Sequence, residues 1–443
     1  MPLTLPSCEY QPHAYDGPSR EEVLRLRQAY LSPAIRLYYA NPVMVVEGHM
    51  QYVWDETGRR YLDGIGGIVS ISVGHCHPKV MAAVAAQNER LQHTTTIYLH
   101  PTVAEFAEKL VATLPEGLDT VYFTNSGSEA NDLAVLMARA FTGNFDIVAL
   151  RNAYHGGSQG AMGLTSHSTW KHAVPHGFGV HHAMAPDRYR GIWGYDDPDA
   201  GARYAADVAD VIAQGSCGAV AGFIAEPIQG VGGAVEMPPG YLESAYGFVR
   251  DAGGLCIADE VQTGFGRTGD NFWGFENHGV VPDMVTMAKG MGDGAPLAAV
   301  VTSREVAESL ATALHFNTFG GNPVSCAQGM ATLEVLLEED YQGRALRLGK
   351  QLFAGLLSLQ ERHPVIGDVR GRGLMSGLEL VSDREEKTPA VELTAAVHER
   401  CKDLGLLIGK GGYFGNVLRI KPPMCLGDAD VQFILDVLDE AIR

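Results

Sequence analysis

Residues 255–269 read LCIADEVQTGFGRTG, and residues 282–290 read PDMVTMAKG. Each segment carries a short apolar run, 255–258 and 284–288, flanked by Gly or Pro. Runs of that length and setting predict fully buried strands. Each run ends on a residue out of keeping with it, Asp259 after the first and Lys289 after the second. Open α/β sheets bind ligands outside the carboxyl ends of their strands. The pair therefore has two readings: solvated residues at the rim, or the working groups of a site.

Outward from this stretch the chain alternates helix and strand. Further strands are expected near 120–123, 147–150, 220–225 and 298–302, with helices over 103–114, 129–141, 202–212 and 241–251. That alternation predicts an α/β fold, a mostly parallel sheet covered on both faces by helices. Ser19 and Glu22 form a capping box for a helix to about Tyr30. Residues 44–63 alternate and turn at Glu56-Thr57-Gly58, a small antiparallel sheet, and a Gly-rich loop (GIGGIVSIS, 64–72) leads to a helix from Lys79. A long helical segment follows Asn322-Pro323 to Leu359, and then come strands at 369–380 and 416–423 and helices at 391–405 and 429–442. The expected organisation is an arm (1–18), a smaller α+β domain built from both chain ends (19–78 and 324–443), and a large domain (79–323).

With 443 residues, two domains in one subunit are expected. The formal net charge is −19, from 33 basic and 52 acidic residues, which disfavours nucleic acid or an anionic membrane as partner. No apolar run approaches the ~18 residues of a membrane span. The seven cysteines are scattered without a CxxC pair, as in reduced intracellular proteins. No basic region followed by an apolar one opens the chain, and Glu9, Asp16, Glu21 and Glu22 argue against a transit peptide. A cytoplasmic location is expected. His75, Cys76 and His77 are too compressed for a metal ligand set, and no metal is expected.

Several loops supply chemistry. TNSGSEAND (124–132) sits between a strand and a helix, with Ser126 and Glu129 as a capping box and Gly127 allowing close backbone approach. It is either a well-capped helix or a phosphate cradle. Tyr154, in RNAYHGG, is either an interface tyrosine or a ring that stacks on a cofactor. Glu226 is a third acid at a strand end, and Thr318 lies in the Gly-rich loop FNTFGGNP (316–323). GFGRTG (264–269) matches a dinucleotide fingerprint, yet DNFWGFENHG follows it, with no helix to receive a pyrophosphate. With a phosphate cradle, the Asp259–Lys289 pair reads as a site for pyridoxal 5′-phosphate (PLP). Lys289 would carry the aldehyde as a Schiff base, and Asp259 would hold the proton on the pyridine nitrogen.

NSGSEAND, AYHG, AEPIQG, ADEVQTGFGRTG, TMAKG, FNTFGGNP and LRIKPP stand in the order and spacing seen in the class III aminotransferases. From about Leu31 onward the chain resembles that fold-type I, PLP-dependent family. SVGHCHPKV, LMARA, RNAYHG and LRIKPPMC look most like its alanine–glyoxylate aminotransferase 2 subgroup, which also contains phospho-lyases acting on phosphorylated amino alcohols. The resemblance implies a homodimer with shared active sites. It makes Lys289 and Asp259 the catalytic pair and Gly127 and Ser128 the phosphate contacts, with Thr318 reaching the phosphate of the neighbouring subunit. Tyr154 and Val261 would flank the ring, Gln262 would contact the ring hydroxyl, and His155 and Glu226 would complete the cofactor site. Arg419 would grip a substrate carboxylate, while Tyr38, Ile68 and Val69 would line the entrance. The implied reaction is a ping-pong transfer from an amino acid or ω-amine donor such as alanine to a small 2-oxo acid, glyoxylate or pyruvate. Elimination of phosphate from an amino alcohol phosphate is the alternative. Lys421 is read as a solvated strand-end lysine, with a second cation near the carboxylate as the other possibility.

Overall fold

The computed structural model describes residues 3–443; the first two residues of the expected arm lie outside the described residues. The centre is a seven-stranded sheet. From one edge it runs Thr120–Thr124, Ala298–Thr302, Met284–Met287, Leu255–Asp259, Gly222–Ala225, Ile147–Leu150 and Val180–Ala183. All strands are parallel except Ala298–Thr302, which pairs antiparallel with both neighbours. Leu255–Asp259 and Met284–Met287 are adjacent, with Asp259 opposite Thr286. Asp259 and Lys289 thus leave the same end of two neighbouring strands.

Both faces of the sheet are covered, which is why its central strands are mostly apolar and fully buried. The helix Gly127–Thr142 buries Ala130, Leu133, Ala134, Met137 and Ala138, the helical i, i+3, i+4, i+7, i+8 stripe. They pack with Ile147, Ile224, Ile257 and Val300. Successive strand residues point to opposite faces, so Cys256 and Ala258 join the other core, with Tyr204, Val208, Tyr241 and Tyr246 from the helices Ala200–Gly215 and Tyr241–Asp251.

A second, four-stranded sheet joins the two chain ends: Val45–His49, Tyr52–Asp55 and Arg60–Asp63 continue into Leu406–Leu407. Its turn is set by Asp55, whose Oδ1 accepts from Thr57 N, Thr57 Oγ1 and Arg59 N, with Gly58 at φ +81°. The expected helix after Ser19 is present as Arg20–Tyr30.

Two local expectations differ from the structure, and one strand was not expected. The segment after Pro323 is two helices, Pro323–Glu338 and Tyr341–Arg362. Asp340 breaks it in a left-handed conformation (φ +49°) and caps the second helix by accepting from Gly343 N. Residues 369–380 are not one strand but parts of a hairpin, Ile366–Arg372 and Met375–Asp383, reversed at Gly373 (φ +55°). The edge strand Val180–Ala183 has no counterpart in the sequence reading; only its last residue is buried.

Candidate active site

At the carboxyl ends of the parallel strands lies a cavity of about 160 Å3 lined by Gly127, Ser128, Asn131, Tyr154, His155, Gly156, Glu226, Asp259, Val261, Gln262 and Lys289. Nine expected site residues therefore meet in one place. Tyr38, Ile68, Val69, Thr318 and Arg419 are not among its lining. Tyr38 and Ile68 are exposed, Val69 is buried, and Thr318 is exposed in its loop.

Asp259 is 3% exposed and collects three hydrogen bonds. Its Oδ2 accepts from His155 Nδ1 at 2.7 Å and from Asn131 Nδ2 at 2.9 Å, and its Oδ1 accepts from Val261 N at 3.1 Å. Oδ2 is thus committed to the protein, while Oδ1, with one donor, keeps capacity for a cation. Because the carboxylate accepts, the His155 proton sits on Nδ1. Glu226 is anchored by Tyr154 N and Gly230 N, at 3.0 and 2.8 Å. Burial, reinforced by Asp259, pushes its carboxyl above the usual range, with His155 opposing.

Lys289 follows its strand with φ +49°, a left-handed backbone rare for a residue with a side chain. Backbone strain of this kind concentrates at functional sites. Next to it, Gly290 O accepts from Ser72 Oγ at 2.7 Å. Burial lowers the pKa of the Lys289 ammonium, Asp259 and Glu226 oppose that, and Arg419 adds to it. An amine so placed loses its proton more readily than a surface lysine and becomes a better nucleophile and base.

The Gly127 end of the cavity is built from backbone. Ser126 caps the helix Gly127–Thr142 by accepting from Glu129 N, while Glu129 Oε2 accepts from Asn125 N, one residue earlier than a reciprocal box requires. The first N–H groups of this helix have no intrahelical partner. Gly156 (φ +135°) folds over them, with Gly157 N donating to Ser128 Oγ at 3.1 Å. The Tyr154 ring meets the Trp170 ring edge-on at 5.1 Å. On the other side, Val261 packs against Gly127, whose added Cβ would lie 3.1 Å from it.

These residues fit PLP. A helix N-terminus receives a phosphate, an acid with spare acceptor capacity receives a pyridinium, and a deprotonation-prone lysine receives an aldehyde. The GFGRTG loop does something else. Its Arg267 is buried and donates to Leu374 O and Pro422 O, and Gly269 lies against Leu346 of the helix Tyr341–Arg362. His75 pairs with Asp63 and His77 with Glu339. No group of three or more His, Cys, Asp or Glu among the described residues is arranged to hold a metal.

The structure corrects the reading of Lys421. It is not solvated but 1% exposed, because the strand Val417–Ile420 delivers it beneath the cavity floor. There its Nζ donates to Gly230 O and to Gln262 Oε1, at 2.9 and 3.0 Å. The sequence reading also missed Asn131, which bonds both Asp259 and the His155 carbonyl. Its signal was its position four residues after Gly127, on the same helix face.

The class-III aminotransferase family model matches residues 37–442. Alanine–glyoxylate aminotransferase 2 homolog 2, mitochondrial, of Arabidopsis thaliana is 53% identical over 98% of this chain and 90% of its own length. The mitochondrial alanine–glyoxylate aminotransferase 2 of Homo sapiens is 45% identical over 99% and 89%. Among solved structures, an Arthrobacter phospholyase in complex with phosphoethanolamine is 36% identical, with a TM-score of 0.89, over 95% of this chain and 99% of that one. A PLP-bound amine transaminase from an uncultivated Pseudomonas species is 31% identical, with a TM-score of 0.88, over 93% and 98%. The relatives' names overturn the expected cytoplasmic location, since both are mitochondrial. The chain belongs to the class-III aminotransferases and is a transaminase dependent on PLP.

Proposed function

We propose that this enzyme moves an amino group from an amino acid or ω-amine donor, alanine among them, to a small 2-oxo acid, glyoxylate or pyruvate, in two half-reactions. The two relatives named alanine–glyoxylate aminotransferase 2 support the substrate class. The carrying observation is that Lys289 and Asp259 line one cavity with a helix N-terminus. When bound, PLP supplies an electron sink that acidifies the substrate Cα–H. Asp259, held by His155, Asn131 and Val261 N–H, keeps the proton on the pyridine nitrogen. Lys289 would hold the cofactor through Nζ, and its amine, which loses its proton readily, would serve as the base that takes up and returns the substrate Cα proton. Gly127 and Ser128 hold the phosphate, Tyr154 and Val261 flank the ring, and Arg419 receives the substrate carboxylate. Borohydride reduction of the PLP-loaded enzyme, followed by peptide mass mapping, tests this. The cofactor mass belongs on Lys289, and a mass on any other lysine refutes the assignment.

The working unit is a homodimer with shared sites. Ile97, Tyr98, Leu99, Leu314, Phe316 and Phe319 are exposed beside Thr318, and the helix Arg20–Tyr30 buries none of its residues. Both features suit a partner subunit that receives Thr318 at its phosphate. Sedimentation at micromolar concentration should give twice the chain mass. Residues 19–78 and 324–443 act as the small domain and 79–323 as the large one, a division supported by the sheet that joins both chain ends.

Phosphate elimination from an amino alcohol phosphate is favoured by one observation, the likeness to the Arthrobacter phospholyase. It needs a second anion site, and the Lys421 amine is already committed to Gly230 and Gln262. Phosphate release from phosphoethanolamine without any oxo acid would establish it.

A further inference from the structure

Lys421 is a buried lysine without a carboxylate partner among the described residues. Burying an ammonium costs several kcal/mol unless its donors are matched, so a lysine kept here calls for a reason. Its two acceptors are Gly230 O and Gln262 Oε1. The charged groups around it are Arg419, Glu226, Lys289 and Arg267. Three of these four are cationic, and with burial as the largest cause they hold the amine well below the usual lysine range.

The consequence falls on Gln262. An amide can present either its oxygen or its NH2 group, and the choice is set by its neighbours. Lys421 Nζ donates to Gln262 Oε1, which leaves Nε2 with its two N–H bonds for the cavity that Gln262 lines. The amide is also wedged against Gly230, where an added Cβ would lie 2.5 Å from Oε1. Gly230 is itself tied at both ends, donating through N to Glu226 Oε2 and accepting through O from Lys421. Glu226, Gly230, Lys421 and Gln262 form one hydrogen-bonded unit beneath the cofactor site.

We propose that Lys421 is a positioning residue that holds Gln262 Oε1 and thereby fixes Gln262 as a hydrogen-bond donor to the ring hydroxyl oxygen of the cofactor. This rests on the proposed contact between Gln262 and that oxygen. The oxygen is anionic, and while the proton on the neighbouring Lys289 nitrogen is present it shares that charge. Once that proton leaves, the oxygen needs an outside donor most. A fixed donor therefore favours the deprotonated, lysine-linked cofactor and lowers the pH of that transition. A lysine with only a packing role would leave the transition in place.

The test is a pH titration of the near-visible absorption band of the holoenzyme, in wild type, Lys421→Met, Gln262→Ala and the double variant, with cofactor dissociation constants measured in parallel. Lys421→Met should move the midpoint up by about one pH unit, the scale of one hydrogen bond to a charged oxygen. In the Gln262→Ala background the same substitution should add nothing. An unmoved midpoint in Lys421→Met overturns the proposal. So do equal shifts in both backgrounds, which would make Lys421 act through its own charge. If Lys421→Met does not fold, Gly230→Ala displaces the same amide while keeping the Lys421 side chain and should raise the midpoint likewise; no rise there overturns the proposal. Absence of the band in wild type would instead refute the Lys289 assignment.

Discussion

The His155 imidazole and the Asp259 carboxylate meet at 2.7 Å, with the two residues 2% and 3% exposed. Neither polar group has water to fall back on, so each depends on its protein partners. Asn131 completes the arrangement by donating to Asp259 Oδ2 and to His155 O. Asn131→Ala should cost roughly 1–3 kcal/mol of stability, because it leaves buried acceptors short of a donor. Asn131→Asp should be worse for function, since it puts a second carboxylate about 3 Å from the first. Urea melts of the apoenzyme read the first effect. Cofactor retention on dialysis reads the second, and equal retention in the two variants would count against it.

Ser128 is held in place from Gly156. A Cβ on Gly156 would lie 2.3 Å from Ser128 Oγ and 2.9 Å from Ser128 Cα, and its φ of +135° is strained for any residue with a side chain. Gly156→Ala should therefore push the phosphate cradle open and raise the PLP dissociation constant at least tenfold, roughly the loss of one charged hydrogen bond. Gly157→Ala is the control, because nothing lies within 4 Å of its added Cβ. Fluorescence titration of the apoproteins with PLP distinguishes the two.

The site was legible in the sequence where a polar residue interrupts an apolar run. Asp259 and Lys289 stand out because buried strands exclude charge; in the structure Asp259 ends one strand and Lys289 follows the end of its parallel neighbour. The strand Val180–Ala183 was not legible because an edge strand needs only one buried face, and its two histidines mask it. The break at Asp340 was hidden because Asp at a left-handed cap looks like any surface acid in a helical pattern. Lys421 was misread for a related reason. Alternation assigns a strand residue to a face, but only the packing of Gly230 and Gln262 against that face shows that it is sealed from water.

His398 supplies a pH dependence of stability away from the cofactor. It is 1% exposed, stacks on Tyr39 at 4.3 Å, and shares a hydrogen bond with Ile408 O through Nε2. Burial drives its pKa down to about 4, against about 6.5 in an unfolded chain. Between those values the unfolded chain binds the extra proton, so stability is full above about pH 6.5 and is lost as pH falls towards 4. The contribution is roughly 3 kcal/mol at most. His398→Gln keeps a donor for Ile408 O but does not titrate, so it should flatten Tm against pH in this window. A variant that loses stability as steeply as wild type between pH 6.5 and 4 would refute the role.

Arg419 lies over Gly411, where an added Cβ would come within 2.9 Å of its Cζ. Its Nη2 donates to Lys410 O at 2.9 Å, its Nε is buried without a partner among the described residues, and Tyr38 donates to the same carbonyl at 2.8 Å. The guanidinium is thus tethered at one corner while another donor stays unpaired, an arrangement completed when a carboxylate binds two N–H groups side by side. Arg419→Met should raise KM for alanine about 100-fold, the worth of a charged bidentate pair. An amine donor without a carboxylate should keep its KM in the same variant. The near-visible band should persist, because Arg419 does not line the cavity that holds the cofactor contacts. A parallel loss for both donors would mean that Arg419 supports the fold of the 409–420 hairpin rather than reading the substrate.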